Sequence, residues 1–393
     1  MLFLKKIVRR AKKIRETSEI YSNFPELKIK HPIQKDVAHL EAAMKWLCLA
    51  QDETKVGGVS ALYNLQKKKW GNAYRETTGY IIPTFINYSK ISKNQDFEKR
   101  ALEMGIWELN QQLSDGSFGE ESKDGGMKRK IFNTGQVMLG MCFLYDYTKD
   151  NRYLSSAKKS AEWLVHNQEK NGSWENHTTK GARTYHSRVA WPLLEVYKRT
   201  GENKSKISAE KNLQWVLGQQ MENDWFKNCS LGEENKPWTH LVAYTIRGLL
   251  ESSNLNGSRE IFDSAYKSAK RMLEEYNKRT SFKFNYLPGT FDENWKSKDK
   301  YSCLTGDMQM AIIWLKLFNI TKEEPFKIGA QRIINQVKET QILKSAHKEL
   351  VGGIAGSFPI EGDYASFTIL NWATKFFADA IMLKMDPDIS LPA

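Results

Sequence analysis

The sequence predicts an all-α protein, an (α/α)6 toroid of six helical hairpins preceded by a basic amphipathic N-terminal helix. Amphipathic segments alternate six times with segments that are apolar nearly all round. The apolar segments recur at intervals of roughly 50 to 65 residues, the period of an internal repeat. A connection that contains glycine and aromatic residues joins each amphipathic segment to the apolar one after it. Six such hairpins can close into a ring.

The apolar segments are predicted to be the inner helices, because a helix that is apolar on every face is buried on every face. They are residues 77–88, 132–145, 185–197, 239–250, 304–318 and 366–383. The amphipathic segments, many of which end in a Trp followed by Gln, are predicted to be the outer helices. They are 44–52, 105–119, 161–174 and 213–226, with weaker copies at 271–284 and 332–341. The inner helices would then all begin at one mouth of the ring.

The repeat also predicts the domain organisation. A length of 393 residues usually implies two domains, but the repeat accounts for residues 36–385 as one. Residues 1–35 are predicted to be a basic amphipathic helix with a tether from residue 16, and residues 386–393 a loose tail. No run of 18 or more apolar residues exists, so no transmembrane helix is expected.

Positive charge is concentrated at the N-terminus. Residues 1–15 carry seven Lys and Arg and no acid, out of a formal net charge of +13. A basic amphipathic helix favours an anionic membrane surface, while a solvated tail and a nucleic-acid contact are the alternatives. The rest of the chain is only mildly basic, so no nucleic-acid partner is expected. We expect a cytoplasmic protein, peripheral at the inner membrane face if the helix binds lipid.

The four cysteines are far apart, and no Cys/His spacing suggests a metal site. No metal and no cofactor are therefore expected.

The turns resemble those of known toroids. Asp-Gly-Ser-Phe and Asn-Gly-Ser-Trp after the outer helices resemble the repeats of terpenoid cyclases and prenyltransferases. Inner helices that open with Asn-Thr-Gly or Leu-Thr-Gly look more like six-hairpin carbohydrate-active enzymes, namely glycoside hydrolases, uronate lyases and glucuronyl epimerases. The resemblance covers residues 36–385. It implies an enzyme that acts on a polysaccharide or lipid-linked glycan. The basic N-terminal helix would hold such an enzyme at the inner membrane face, where these glycans are assembled, so a role in cell-surface polysaccharide biosynthesis is expected.

Polar residues near the starts of the inner helices are the candidate site. Asp307 is the strongest single candidate, because a carboxylate in an otherwise apolar helix must be paired, cap the helix or be functional. The candidate catalytic residues are Asp307, His186, Arg188, His240, Glu76, Asp363 and Tyr185. The candidate substrate-binding residues are Tyr80, Asn133, Trp174, Trp238, Tyr301 and Glu361. Glu120, Glu121 and Asp124 also belong to the predicted mouth, and Trp174, Trp225 and Trp295 could stack on sugars or plug the ring.

Two mechanisms fit these residue types. A glycosidase needs two carboxylates, for which Asp307 with Glu76 or Asp363 could serve. A lyase or epimerase needs a base, Tyr185 or His240, and cations that stabilise an enolate, which Arg188 and His186 could supply.

Two further classes stay open. An isoprenoid cyclase or transferase needs an apolar cavity and acidic residues, for which Asp292 and Glu293 are an adjacent pair in a fitting connection. The motifs that triterpene cyclases and zinc-dependent prenyltransferases use are absent. A non-catalytic glycan-binding toroid would keep the aromatic platforms without the carboxylates.

Overall fold

The computed structural model describes residues 2–122, 125–231, 236–281 and 284–391. It confirms the predicted all-α toroid. The first helix is α1 (Leu2–Asn23). The outer helices are α2 (Asp36–Asp52), α4 (Gln95–Gln111), α6 (Asn151–His166), α8 (Asn203–Leu217), α10 (Arg259–Asn277) and α12 (Glu324–Lys338). The inner helices are α3 (Arg75–Ser92), α5 (Ile131–Thr148), α7 (Ser187–Thr200), α9 (Thr239–Asn256), α11 (Leu304–Thr321) and α13 (Asn371–Met385).

The inner helices form a closed ring. Each contacts the next one along the chain, and α13 contacts α3. Glycines near the helix starts allow this close approach. A Cβ atom on Gly79 would lie 2.6 Å from the Cα atom of Val137, and one on Gly306 would lie 2.6 Å from the backbone nitrogen of His240. These positions therefore explain why glycine recurs where the inner helices begin.

A glutamine at the end of several outer helices ties each hairpin to the next. The Gln112 amide donates to the carbonyl oxygens of Gly116 (3.0 Å) and Ser156 (2.9 Å). The Gln168 amide donates in the same way to the carbonyls of Gly172 (3.0 Å) and Ser208 (2.9 Å). Each glutamine thus satisfies a turn carbonyl and a carbonyl of the following outer helix, which accounts for the repeated Gln of the sequence.

Short strands line the mouth in the connections. They are β1 (Leu62–Asn64), β2 (Lys69–Trp70), β3 (Gly119–Glu121), β4 (Met127–Arg129), β5 (Ser302–Cys303), β6 (Ile354–Ala355), β7 (Ser357–Phe358) and β8 (Thr368–Leu370). They form antiparallel sheets in the orders β2-β1-β8-β6, β3-β4 and β5-β7. The prediction that the last inner helix begins at residue 366 was wrong, because residues 368–370 pair with β1 and β6 instead.

Both ends of the chain pack on the toroid. The helix α1 continues through residues 16–23, which were expected to be tether, and Ile20 near its end is buried. Lys13 forms an ion pair with Asp363 at 2.5 Å, and the Tyr21 hydroxyl donates to Glu361 at 2.8 Å. Within the described ranges, no helix is long and apolar enough to cross a membrane.

The C-terminal segment was expected to be loose, and as far as Leu391 this was wrong. Asn87 and Arg247 of the inner helices donate to the carbonyls of Ser390 (2.6 Å) and Leu391 (2.9 Å). The Leu391 side chain is buried. The tail therefore covers the end of the ring opposite the mouth, since Asn87 and Arg247 lie well past the starts of their helices.

Candidate functional site

A cavity of about 220 Å³ opens where the inner helices α3, α5, α7 and α9 begin. Its wall combines carboxylates, imidazoles, a lysine and aromatic rings. The lining residues are Tyr74, Glu76, Tyr80, Glu120, Lys130, Phe132, Asn133, His177, Thr178, Thr179, Tyr185, His186, Leu231, His240, Leu241, Tyr244, Tyr364 and Trp372. Six of the predicted site residues are therefore brought together: Glu76, Tyr80, Asn133, Tyr185, His186 and His240.

Glu76 is the acidic centre of this cavity. The Tyr74 hydroxyl lies 2.9 Å from Glu76 Oε2 and 3.2 Å from Glu120 Oε1, so one phenol bridges the two carboxylates. Lys130 lies 3.6 Å from the other oxygen of Glu120. The pKa of Glu76 is raised to about 7, because desolvation and the charge of Glu120 together outweigh the hydrogen bond from Tyr74, which lowers it. Glu76 therefore holds and releases a proton near neutral pH.

Two histidines in the wall are uncharged at neutral pH. Burial lowers the pKa of His186 to about 3 and that of His240 to about 4. His240 Nδ1 lies 3.0 Å from the side-chain oxygen of Gln309, which fixes the ring and directs Nδ1 as a donor. A neutral imidazole of this kind offers hydrogen bonds to a ligand without adding charge.

Aromatic rings form an ordered part of the wall. Phe132 packs edge-on against Tyr185, with ring centroids 5.5 Å apart, and lies 5.1 Å from Tyr244. His240 lies 4.3 Å from Tyr244 and 5.5 Å from Tyr364. These contacts hold the rings in place, so the apolar part of the cavity is preformed.

Asn133 Nδ2 and His186 Nδ1 have no hydrogen-bond partner among the described residues, and both side chains are at least 98% buried. Buried polar groups in native proteins nearly always have a partner, so these two atoms are exceptions. Both residues line the cavity, but the two atoms themselves are buried within its wall.

Arg188 lies behind the wall and does not line the cavity. Its Nε and Nη2 atoms donate to the side-chain oxygen of Gln136 at 3.1 and 2.8 Å, and its guanidinium lies 4.8 Å from the Tyr244 ring. Burial lowers its pKa to about 10, so it stays charged at neutral pH. Lys375 lies 5.2 Å from the Tyr80 ring in a similar position. Each cation therefore packs on a ring of the cavity wall, and Arg188 does not reach a substrate there.

Three predicted acidic residues lie outside the cavity. Asp307 is fully buried against Ser302, whose hydroxyl donates to it at 2.6 Å, and burial raises its pKa well above the usual range. Asp363 is exposed and paired with Lys13, and Glu361 accepts from α1. The predicted pairing of Asp307 with Glu76 or Asp363 is therefore not formed, since neither aspartate faces the cavity.

The predicted tryptophan platforms are core residues. Trp174 is fully buried and donates to the Leu164 carbonyl at 3.0 Å, while Trp225 and Trp295 pack against each other at 5.0 Å. Their ring faces are covered by other residues, so these three tryptophans pack in the core and do not offer a surface to a sugar. Trp238 packs 5.4 Å from Tyr364, behind a residue of the cavity wall.

The remaining candidates lie apart from the cavity. Tyr301 packs against the hydrophobic core and lies over Gly289. Asp292 accepts from the backbone of Asn294 and Lys296 in a turn, and neither Asp292 nor Glu293 lines the cavity. Glu121 is exposed at the rim. Asp124 lies outside the described residues.

Several wall residues were not predicted from the sequence. Tyr244 follows His240 by one helical turn, so its spacing could have indicated it. Tyr74 stands two residues before Glu76, with extended backbone at the start of the helix, and no helical spacing links the two. Lys130 stands two residues before the predicted segment 132–145, and Trp372 lies inside the predicted segment 366–383 but was not chosen as a site residue. Among the described residues, no group of three or more His, Cys, Asp or Glu side chains is placed to hold a metal ion.

Comparisons with known proteins support the fold. No protein-family model matches the sequence, and no curated protein matches it. Solved structures do match.

An unsaturated glucuronyl hydrolase from Streptococcus agalactiae is 13% identical, with a TM-score of 0.67 over 92% of this chain and 95% of that one. A cellobiose 2-epimerase from Bacillus thermoamylovorans is 12% identical, with a TM-score of 0.68 over 89% and 98%. An α-amylase from Clostridium perfringens is 14% identical, with a TM-score of 0.63 over 90% and 99%. At these identities the likeness establishes the shared toroid fold and does not carry an activity with it.

Proposed function

We propose that this protein is a carbohydrate-active enzyme that acts on a polysaccharide or lipid-linked glycan, with Glu76 as the group that exchanges a proton with the substrate. The observation that carries the proposal is the Glu76 carboxyl, which lines the cavity and has a pKa raised to about 7. A group of this pKa is populated in both protonation states at neutral pH, which general acid–base catalysis requires.

The rest of the cavity supports a sugar as the ligand. Sugars combine hydroxyl groups with apolar ring faces, and the wall offers both kinds of partner. Glu120 and Lys130 supply polar groups, whereas Phe132, Tyr185 and Tyr244 supply aromatic surface. The solved structures that share the fold are named for a glucuronyl hydrolase, a cellobiose epimerase and an amylase. This agreement favours a glycan over other polar ligands.

The geometry favours a reaction built on one acid–base carboxylate. Glu120 shares the Tyr74 hydroxyl with Glu76, so this phenol stands between the two carboxylates, and Glu76 is the one whose pKa is raised. A hydrolase would use Glu76 to protonate the leaving oxygen or to activate water. A lyase or epimerase would use it to remove a proton from a ring carbon, with neutral His240 placed to assist through hydrogen bonding.

The isoprenoid alternative has less support. A hydrocarbon ligand favours a wall of aliphatic and aromatic side chains alone, but Glu76, Glu120 and Lys130 all line this cavity. Burying a hydrocarbon against ionised groups carries a desolvation cost. A purely binding toroid gives no reason for a carboxyl whose pKa is raised to about 7.

Incubation with a panel of acidic and neutral oligosaccharides tests the proposal. Released reducing ends report a hydrolase, absorbance of unsaturated uronates reports a lyase, and deuterium taken up from heavy water reports an epimerase. Glu76→Gln removes the titrating group and should abolish whichever signal the wild type gives. Glu162→Gln, a substitution of an exposed glutamate on the outer helix α6, is the control. Turnover that survives Glu76→Gln would contradict the role of Glu76.

We further propose that residues 1–15 bring the enzyme to the cytoplasmic face of a membrane, where surface glycans are assembled. Their seven basic residues without an acid support this, as does Ile14, which is 62% exposed on α1. Sedimentation with vesicles of phosphatidylserine and phosphatidylcholine, compared with phosphatidylcholine alone, tests it. The full chain should pellet with the anionic vesicles and lose that binding when residues 1–10 are deleted. Equal binding to both vesicle types would refute an electrostatic attachment.

A further inference from the structure

Tyr74 and Glu120 line both the cavity and a larger neighbouring groove. The groove has a volume of about 900 Å³ and is lined by residues 68–75 and by Trp107 and Gln111 of the outer helix α4. Lys68, one of its lining residues, donates from its amine to the side-chain oxygen of Asn23 of α1 at 3.3 Å. The cavity and the groove therefore meet at Tyr74 and Glu120.

The two parts differ in size. Sites for small molecules usually occupy about 300 to 1,000 Å³, so the cavity of about 220 Å³ is small for anything larger than a single sugar unit. The groove is large enough for several further sugar units. A polymeric substrate bound at Glu76 would have to extend out of the cavity. The groove offers a place for that extension, because it adjoins Tyr74 and Glu120, the neighbours of Glu76.

Two tryptophans line the groove with part of their surface exposed. The Trp107 ring lies on Gly58, where an added Cβ atom would come within 2.7 Å of it. One face of the ring is thus backed by the chain, and the side chain still lines the groove. Trp70 is held by Trp46 and Tyr63, each with ring centroids 5.2 Å away. Both rings are positioned by packing, so a ligand that stacks on them does not need to order them.

Charge does not select the ligand in this groove. Lys68, Lys69 and Arg75 are balanced by Glu53, Glu120 and Glu121 among the lining residues. An anionic polymer would meet as much repulsion as attraction there. Flat aromatic surface flanked by polar groups suits the apolar face of a sugar ring better.

We propose that this groove is an extended glycan-binding cleft, in which sugar units beyond the one in the cavity stack on Trp107 and Trp70. The inference rests on the proposed function and deepens it. It makes the substrate an oligosaccharide or polysaccharide chain and gives Trp107 a role in recognising chain length.

The repeat provides a matched control for the test. Trp107 and Trp215 occupy the same place in their hairpins, each five residues before the glutamine that ties one outer helix to the next. Trp215 is also partly exposed, but it lines a separate depression on the outer surface. Trp107→Ala and Trp215→Ala therefore remove the same side chain from equivalent helices. Trp107→Phe keeps an aromatic face and should keep most of the binding.

The measurement is kcat/KM for a series of oligosaccharides from disaccharide to hexasaccharide, together with their binding to the Glu76→Gln variant by calorimetry. In the wild type, kcat/KM should rise with chain length. Trp107→Ala should reduce that rise about fivefold, while Trp215→Ala should keep it. Thermal unfolding of each variant shows whether it is folded.

The outcomes separate the two proposals. If turnover depends on chain length equally in Trp107→Ala and Trp215→Ala, the proposal of an extended cleft is overturned and the enzyme proposal stands. No turnover, but binding of longer oligosaccharides that Trp107→Ala weakens, would overturn the enzyme proposal and support the cleft. Neither turnover nor binding with any member of the series would overturn both.

Discussion

Replacing Glu76 by Gln should make the protein more stable and inactive at the same time. The wild-type carboxyl has its pKa raised from 4.5 to about 7 by burial beside Glu120. A carboxyl with a raised pKa binds its proton more tightly in the folded protein than in the unfolded chain. The raised pKa therefore does not lower the free energy of unfolding below pH 4.5. It lowers it progressively as the pH rises to 7, and by the full amount above 7.

The size of this cost follows from the shift. A pKa raised from 4.5 to about 7 corresponds to about 3 kcal/mol of folding free energy above pH 7. Gln has nearly the same shape as protonated Glu and can accept the bond from Tyr74, so the variant avoids the cost without losing that contact. Glu76→Gln should therefore unfold at a higher denaturant concentration than the wild type at pH 8, and at about the same concentration at pH 4.

Activity should move in the opposite direction. Removing a general acid–base group lowers the rate by about 100- to 10,000-fold, and the limb of the pH profile near 7 should disappear with it. Urea unfolding at pH 4, 6 and 8, alongside the control Glu162→Gln, gives the stability measurement. A variant that gains no stability between pH 4 and pH 8 relative to the wild type would show that the carboxyl is not desolvated, and the reasoning would fail.

Three further changes test other parts of the structure. Tyr74→Phe removes a hydroxyl bond that lowers the pKa of Glu76, so the limb of the pH–activity profile near 7 should move to higher pH; an unchanged profile would contradict the contact. Asp307→Asn should leave kcat/KM within about twofold, because Asp307 lies outside the cavity, and a large loss would return it to the site. Gln168→Leu should lower the free energy of unfolding by about 1 to 3 kcal/mol, since it leaves the buried carbonyl of Gly172 with one partner fewer, and an unchanged urea midpoint would refute the role of the glutamine.

The sequence by itself determined the ring. Six helices that are apolar on every face must be buried, and six amphipathic helices with one charged face can surround them. The hairpin repeat could therefore be predicted without knowledge of any tertiary contact. Small residues such as Gly79 marked the starts of inner helices, because only glycine allows the approach of Val137 there. The mouth followed from topology, and Glu76, Tyr185, His186 and His240 were among the residues placed at it.

Only the tertiary structure decided which of those residues face the cavity. Asp307 and Glu76 both stand in the first turn of an inner helix, and sequence spacing cannot distinguish them. The rotation of each helix in the ring turns Asp307 towards Ser302 and Glu76 towards Tyr74 and Glu120. The pKa of Glu76 depends on Glu120, which lies 44 residues away along the chain. The cavity wall also brings Glu76 together with His240, which belongs to a different inner helix. Such distances arise when the ring closes, and local sequence pattern does not encode them.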